Sequence, residues 1–353
     1  MFASGFRVRT HSIFLTVAML AALLIAPPAT AADPVPGADF TLTILHNNDG
    51  ESQLINAGSG LEDFGGVARF KTLVDGLRAD AVASGNGVVM LSSGDNFLAG
   101  PEFNASIENG IPFYDAVAIE AIGYDAISLG NHDFDFGPDV LADFMSSYTS
   151  APQSLSSNLD FTGEPGLQAF VDSGVIAPST VVTTAGQEIG IVGAVTPTLR
   201  SISSPRNVVI DFDVAGAIQT EVDALIASGV NKIVVISHLQ DITDDIALAA
   251  ELTGVDVMIA GGGDELLANP GDPLVPGEED DVFGAYPLTA TGADGASIPV
   301  VTTPGEYKYL GRLSVGFDAD GNVTGVGADS GPKVVDGTIT PDAGLLASVV
   351  DPV

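Results

Sequence analysis

Gly130-Asn131-His132-Asp133-Phe134-Asp135 directly follows the apolar run Tyr124 to Leu129. It places a carboxamide, an imidazole and two carboxylates at what reads as the end of a buried strand. Three more polar clusters follow short apolar runs in the same way: His46-Asn47-Asn48-Asp49-Gly50-Glu51, Ser93-Gly94-Asp95-Asn96 and Ser237-His238. The chain has only 4 histidines, so three of them in these strand-end clusters are informative. Together the four strand ends predict one assembled metal site.

A metal pair needs a bridging carboxylate, terminal ligands of mixed type and an open position for water and substrate. Asp95, in a Gly-Asp turn straight after a strand, suits the bridge, because one carboxylate gives an oxygen to each ion. Asp49 and Glu51, two residues apart, can chelate one metal. Asn131 offers a carbonyl oxygen and His238 a ring nitrogen to the other. His132 has Asp135 three residues on, a spacing that holds an imidazole in orientation and favours its protonated form, so it reads as a catalytic acid and not a ligand.

Working outward, Val- and Ile-rich runs alternate with helical periodicity, which predicts an α/β fold. Strands are expected at Phe40 to Leu45, Val88 to Leu91, Asp125 to Leu129, Ile189 to Val195, Lys232 to Ile236 and Val255 to Ile259. Val67, Phe70, Leu73, Val74 and Leu77 repeat at helical spacing; Phe113 to Ala121, Val140 to Phe144 and Ile218 to Ile226 mark three further helices. Hairpins are expected around Ala185-Gly186-Gln187 and Asp320-Gly321-Asn322, which makes the sheets mixed. Residues 268–287, rich in Pro and Gly and carrying Glu278-Glu279-Asp280-Asp281, read as a long solvated surface loop whose spacing does not match an EF-hand. The Gly261-Gly262-Gly263 run lacks the Lys-Ser/Thr of a P-loop and is expected to let backbone pass close to the metals. His46 is expected to be a structural support, and Asn158 a turn asparagine.

The first stretch reads as an export signal, with Arg7, Arg9 and His11, the apolar core Ile13 to Ile25, and Ala29-Thr30-Ala31 as cleavage site. The core is shorter than the roughly 20 apolar residues of a membrane anchor and stops at Pro27-Pro28. Residues 1–31 are therefore expected to be removed and the protein to be secreted or periplasmic, with no membrane attachment afterwards. Loss of Arg7 and Arg9 takes 11 basic residues to 9 against 46 acidic ones, so the net charge moves from −35 to −37. Such a surface repels nucleic acid and anionic lipid. With no cysteine, disulfide, thiolate-metal and thiol-nucleophile chemistry are excluded.

The ordered series Asp49, Gly94-Asp95, Gly130-Asn131-His132-Asp133-Phe134-Asp135, Ser237-His238-Leu239 and Asp256 to Asp264 resembles the calcineurin-like metallophosphoesterases, especially the catalytic domain of secreted 5′-nucleotidases. The resemblance runs from about Phe40 to Val323 and includes Gly305-Glu306-Tyr307-Lys308-Tyr309-Leu310-Gly311. It implies an αββα sandwich of two mixed sheets flanked by helices, and a domain over residues 32–330. It further implies two divalent metals and attack of a metal-bound hydroxide on a phosphate ester. Asp49, Asp95, Asn131 and His238 match metal ligands, and His132 with Asp135 the catalytic pair. Residues 331–353 are left as a loosely held tail, without the family's C-terminal nucleotide-binding domain.

Two positions depart from the family pattern. Glu51 stands where a histidine is usual. The last motif, usually Gly-Gly-His-x-His, is Ala260-Gly261-Gly262-Gly263-Asp264-Glu265, with glycine at the first histidine and Asp264 at the second; a one-residue slip exchanges Asp264 for Glu265 as ligand. Carboxylates in place of imidazoles favour harder cations, so manganese, magnesium or calcium are expected over zinc. The expected activity is hydrolysis of phosphomonoesters, with nucleotides as the leading small-molecule class. Two alternatives stay open: a non-catalytic secreted metal-binding or interaction protein, and a phosphodiesterase acting on cyclic nucleotides. Oligomeric state is not legible.

Overall fold

The computed structural model describes residues 1–2 and 35–353, so the export-signal reading lies outside the described residues. Two mixed sheets form the body. In the eight-stranded sheet the order is Val323–Val326, Tyr309–Phe317, Phe40–Asn47, Gly87–Ser92, Ala126–Ser128, Gln153–Leu155 and Ile176–Ala177, with Gly331–Val334 also pairing to Tyr309–Phe317. The six-stranded sheet runs Leu288–Thr291, Ser297–Val301, Val257–Ile259, Ile233–His238, Gln187–Val195 and Ser179–Thr184. The six-stranded sheet has a parallel centre and antiparallel borders, and the eight-stranded sheet is antiparallel around Tyr309–Phe317 and parallel from Phe40–Asn47 to its far border.

Alternation along the strands explains the layering. Leu42, Ile44, Val89 and Leu91 share one core with Ile191, Val192 and Val234 of the other sheet, while Leu45 and Met90 face the opposite way onto helices. Helix Val67–Ala83 covers that outer face with Phe70 and Val74; helix Val214–Ser228 covers the second sheet with Ile218 and Val222. The result is the αββα sandwich expected. Fully buried side chains of this kind stabilise by roughly 1.5–3 kcal/mol each. Both expected hairpins form, the first through a left-handed Ala185-Gly186 turn.

Two expectations change. Residues 268–287 are not simply solvated: Val275 and Tyr286 are buried, and Glu278 accepts hydrogen bonds from Lys308 Nζ at 2.9 Å and from the Tyr309 hydroxyl at 2.6 Å. That ion pair and hydroxyl satisfy a carboxylate which composition alone would leave in water. The stretch after Gly331 is not loose either. Residues 331–334 extend the first sheet, and Leu345 and Val349 are buried against the helical layer.

The topology decides where chemistry gathers. Asn47 pairs with Ser92 and Ser92 with Ile127, so three parallel strands end level with one another. In the facing sheet His238 pairs with Val195, Ile236 with Ile259 and Ile259 with Val301. The carboxyl ends of both sets of parallel strands meet at one edge of the sandwich, the usual place for a ligand crevice in α/β folds.

Candidate metal centre

Asp49, Asp95 and His238, all buried, bring one ligand atom each within 4.8 Å of one another, and Glu51, Asp95 and His132 do the same. Asp95 is common to both groups, as a bridging residue must be. His238 Nε2 lies 2.9 Å from Asp95 Oδ2, 4.0 Å from Asp49 Oδ1 and 3.0 Å from Asn131 Oδ1. Asp49, Glu51, Asp95, Asn131 and His238, drawn from four separated segments, thus converge.

The backbone is bent to do this. Asp49, Glu51 and Asp95 have φ of 49°, 49° and 51°, a left-handed conformation that is uncommon outside glycine and clusters at functional sites. Backbone bonds hold the turns: Asp49 N–H donates to Gly94 O at 2.9 Å, Glu51 N–H to Asp95 O at 3.1 Å and Glu306 N–H to Asp49 O at 2.7 Å. Gly94, at φ 104°, lets the strand end pass under His238; a Cβ there would stand 2.8 Å from His238 Nδ1.

Surrounding groups aim the donors. The His238 ring nitrogen Nδ1 lies 2.7 Å from Ser93 O, which leaves Nε2 facing the carboxylates. Asp49 Oδ2 accepts from Asn48 Nδ2 at 2.5 Å and from Gly262 N–H at 2.9 Å. Asn48 is fully buried, donates also to Thr303 O at 2.7 Å, and accepts at Oδ1 from Thr303 N–H at 2.9 Å and Thr303 Oγ1 at 2.8 Å. Sequence reading assigned it no role. The Asn-Asp pair at a strand end was the available signal, but its partner lies 255 residues away.

His132 sits beside this set. Its backbone N–H donates to Asp95 Oδ1 at 2.7 Å, its Nδ1 lies 2.6 Å from Asp135 Oδ2, and its Nε2 is 3.9 Å from Asp95 Oδ2. Ser203 Oγ donates to the other Asp135 oxygen at 2.8 Å. Burial disfavours the charged ring, yet the charges of Asp95, Asp135 and Glu51 outweigh it and raise the His132 pKa. Asp133 belongs to the framework: it is buried and accepts from Gly130 N–H at 2.8 Å and from the Asn96 side chain at 3.1 Å.

Asp264 is not brought into either group. It is exposed and lines a cleft of about 460 Å³ with Glu278, Glu306 and Lys308, from where its charge still helps to raise Glu51. Glu265 is engaged elsewhere, with Oε1 accepting from Ile242 N–H at 3.1 Å at the start of helix Ile242–Ala249. His46 is fully buried, with Nε2 2.7 Å from the Tyr286 hydroxyl, and Asn158 braces Val195 through bonds of 2.9 and 3.0 Å.

Electrostatics describe what the cluster lacks. Burial, then the charges of Asp49 and Asp95, push Glu51 up to about 7; burial and Asp95 raise Asp49, although His238 opposes them. His238 is driven up to about 10 against burial, chiefly by Asp95 and Asp49. Three carboxylates packed against two imidazoles form a donor set of oxygen and nitrogen with excess negative charge, which fits divalent cations.

No protein-family model matches the chain. It is 35% identical over 321 residues to the 5′-nucleotidase of Diplobatis ommata, a match covering 88% of this chain and 52% of that one. The crystal structure of a 5′-nucleotidase precursor from Thermus thermophilus superposes with a TM-score of 0.76 at 33% identity, covering 89% of this chain and 58% of the other. A calcineurin-like phosphoesterase from Bacillus subtilis shares the fold, with a TM-score of 0.61 at 18% identity over 89% of this chain and 96% of its own. The chain spans about half the length of the 5′-nucleotidases it matches. In sequence and in architecture alike it is a homologue of the 5′-nucleotidases over that half, with the calcineurin-like phosphoesterase fold.

Proposed function

We propose that the chain is a divalent-metal-dependent phosphoesterase that hydrolyses phosphomonoesters, with 5′-nucleotides as the leading substrate class. The observation that carries this reading is the sharing of Asp95 between two ligand groups, with a carboxylate-held imidazole beside it. Asp49, Glu51, Asp95, Asn131 and His238 would hold two ions. Bound there, the ions would polarise the phosphoryl oxygens and make a water acidic enough to attack at neutral pH.

The chain's own residues supply the rest. Asp135, itself held by Ser203, fixes His132 Nδ1 and, with Asp95, favours the protonated ring, so that Nε2 faces the centre as a proton donor to the phosphoryl or leaving oxygen. The departing group has a cleft of about 490 Å³ to occupy, lined by Gln240, Thr196, Thr198 and Phe212. Gln240 joins that cleft to the centre through its contact with Asn131, and Phe212 is 73% exposed on its wall, a surface on which a flat base can stack.

The acid-rich donor set favours manganese, magnesium or calcium over zinc, and the hydrophobic leader read at residues 1–31 supports export to a secreted or periplasmic location. Among the described residues no helix is long and apolar enough to cross a membrane. The test is release of a chromogenic alcohol from a phosphomonoester with manganese, with and without chelator. Chelator-sensitive release supports the reading; its absence points to a metal-binding protein without the chemistry. Faster turnover of a cyclic diester than of the monoester would reassign the substrate class.

A further inference from the structure

Two ions that share one carboxylate need on the order of eight or more ligand positions between them. The side chains gathered at the strand ends are Asp49, Glu51, Asp95, Asn131 and His238, and Asp264 and Glu265 lie outside the set. Gln240 is the next polar side chain to reach it. Its Nε2 stands 2.5 Å from Asn131 Oδ1, which is itself 3.0 Å from His238 Nε2, while His238 Nε2 is 2.9 Å from Asp95 Oδ2. Ligand atoms bonded at roughly 2.1–2.3 Å and at right angles around one ion stand about 3 Å apart. Each successive pair in this series is spaced as adjacent ligand atoms around one ion are.

Backbone geometry around Gln240 is built for this. Its φ is 82°, a left-handed turn between the strand ending at His238 and the helix beginning at Ile242, and such strain is usually retained for a reason. Opposite it lies Gly262, at φ 87°, where a Cβ would meet His238 Nε2 at 2.8 Å and Gln240 N at 3.0 Å. No side chain from residue 262 can enter that space, and the Gln240 carboxamide fills it.

The carboxamides also have the freedom required. Exchanging O and N of Asn131 would let its nitrogen donate to Asp95 Oδ2 at 3.3 Å, so either carboxamide orientation finds partners here. Gln240 can turn in the same way about its last bond without changing shape, setting Oε1 where Nε2 stands. We propose that Gln240 is a metal ligand through Oε1, completing the shell of the ion held by Asn131 and His238. This rests on the metal centre described above, not on the identity of the substrate.

The test is manganese binding to the full chain, measured by calorimetry and by ions retained per chain, with the melting temperature of the metal-free protein recorded alongside. Wild type is expected to hold two ions. Gln240→Gly should weaken one of them at least tenfold, while the metal-free melting temperature holds or rises because glycine takes the left-handed turn without strain. Gln240→Glu should keep both ions, since it retains the oxygen. A Gly variant that holds both ions at wild-type affinity would overturn the assignment. So would a Glu variant as weak as the Gly one, because Gln240 would then act only as a donor to Asn131. Ions bound as expected in a protein that hydrolyses no phosphomonoester would uphold Gln240 and overturn the phosphoesterase reading alone. Wild type binding no ion would overturn the centre and Gln240 together.

Discussion

The His132 ring is held to Asp135 at 2.6 Å across one short helical turn, while its own backbone N–H donates to Asp95 at 2.7 Å. One residue therefore ties the proposed proton donor to the proposed bridge. His132→Ala is expected to lower turnover by about 10²–10⁴-fold, the usual worth of a general acid, and to leave the bound metal intact. Comparing kcat with metal content checks this; equal losses in both would make His132 a ligand.

Asn48 places Asp49. With both its amide hydrogens and its oxygen engaged in a fully buried site, it links the first strand's end to Thr303 beyond the facing sheet. Asn48→Ala should cost about 1–3 kcal/mol of stability through the polar groups left unpaired, and weaken metal affinity by about 10–100-fold, as outer-shell losses do. Denaturant unfolding and metal titration of the variant measure the two effects separately; unchanged affinity would reduce Asn48 to a framework residue.

His46 gives the fold a pH dependence that is independent of the metals. Burial alone drives its pKa down to about 3, so the folded state holds it neutral while the unfolded chain takes a proton near 6.5. Stability from this source is complete above pH 6.5 and is lost as pH falls from there toward 3, amounting to something on the order of 5 kcal/mol at 1.36 kcal/mol per pH unit. Melting temperature followed from pH 7 to pH 4 should fall in wild type and fall less in His46→Gln. Parallel curves would show that another group governs acid unfolding.

Phe212 offers the exposed aromatic face of the cleft that Gln240 shares with the centre. Phe212→Ala should raise KM for a nucleoside monophosphate about tenfold, equivalent to a stacking loss of about 1.4 kcal/mol, with little change for glycerol phosphate. An equal rise for both substrates would show that the cleft does not receive a base.

Much of this was legible in the chain itself. Asp49, Asp95, Asn131 and His238 each follow a contiguous apolar run, and parallel strands of one sheet end together, so linear order predicts convergence. His132 and Asp135 are three residues apart and could meet within one local turn. What stayed hidden depends on contacts between distant segments. Asn48 reaches Thr303, and Gln240 takes the space that Gly262 leaves open. The acidic segment around Glu278 read as solvated because Lys308 and Tyr309, which neutralise and bind it, come from another strand. Asp264 was placed by counting along a motif, and counting does not reveal that its side chain lies exposed in a neighbouring cleft, where it acts on Glu51 through its charge.

The central claim is that Asp95 joins two cations side by side, and electron paramagnetic resonance of the manganese-loaded protein tests it most directly. A spin-coupled pair signal is predicted at two manganese ions per chain, lost in Asp95→Ala. A spectrum of isolated ions only, at full loading of the wild-type protein, would contradict the account.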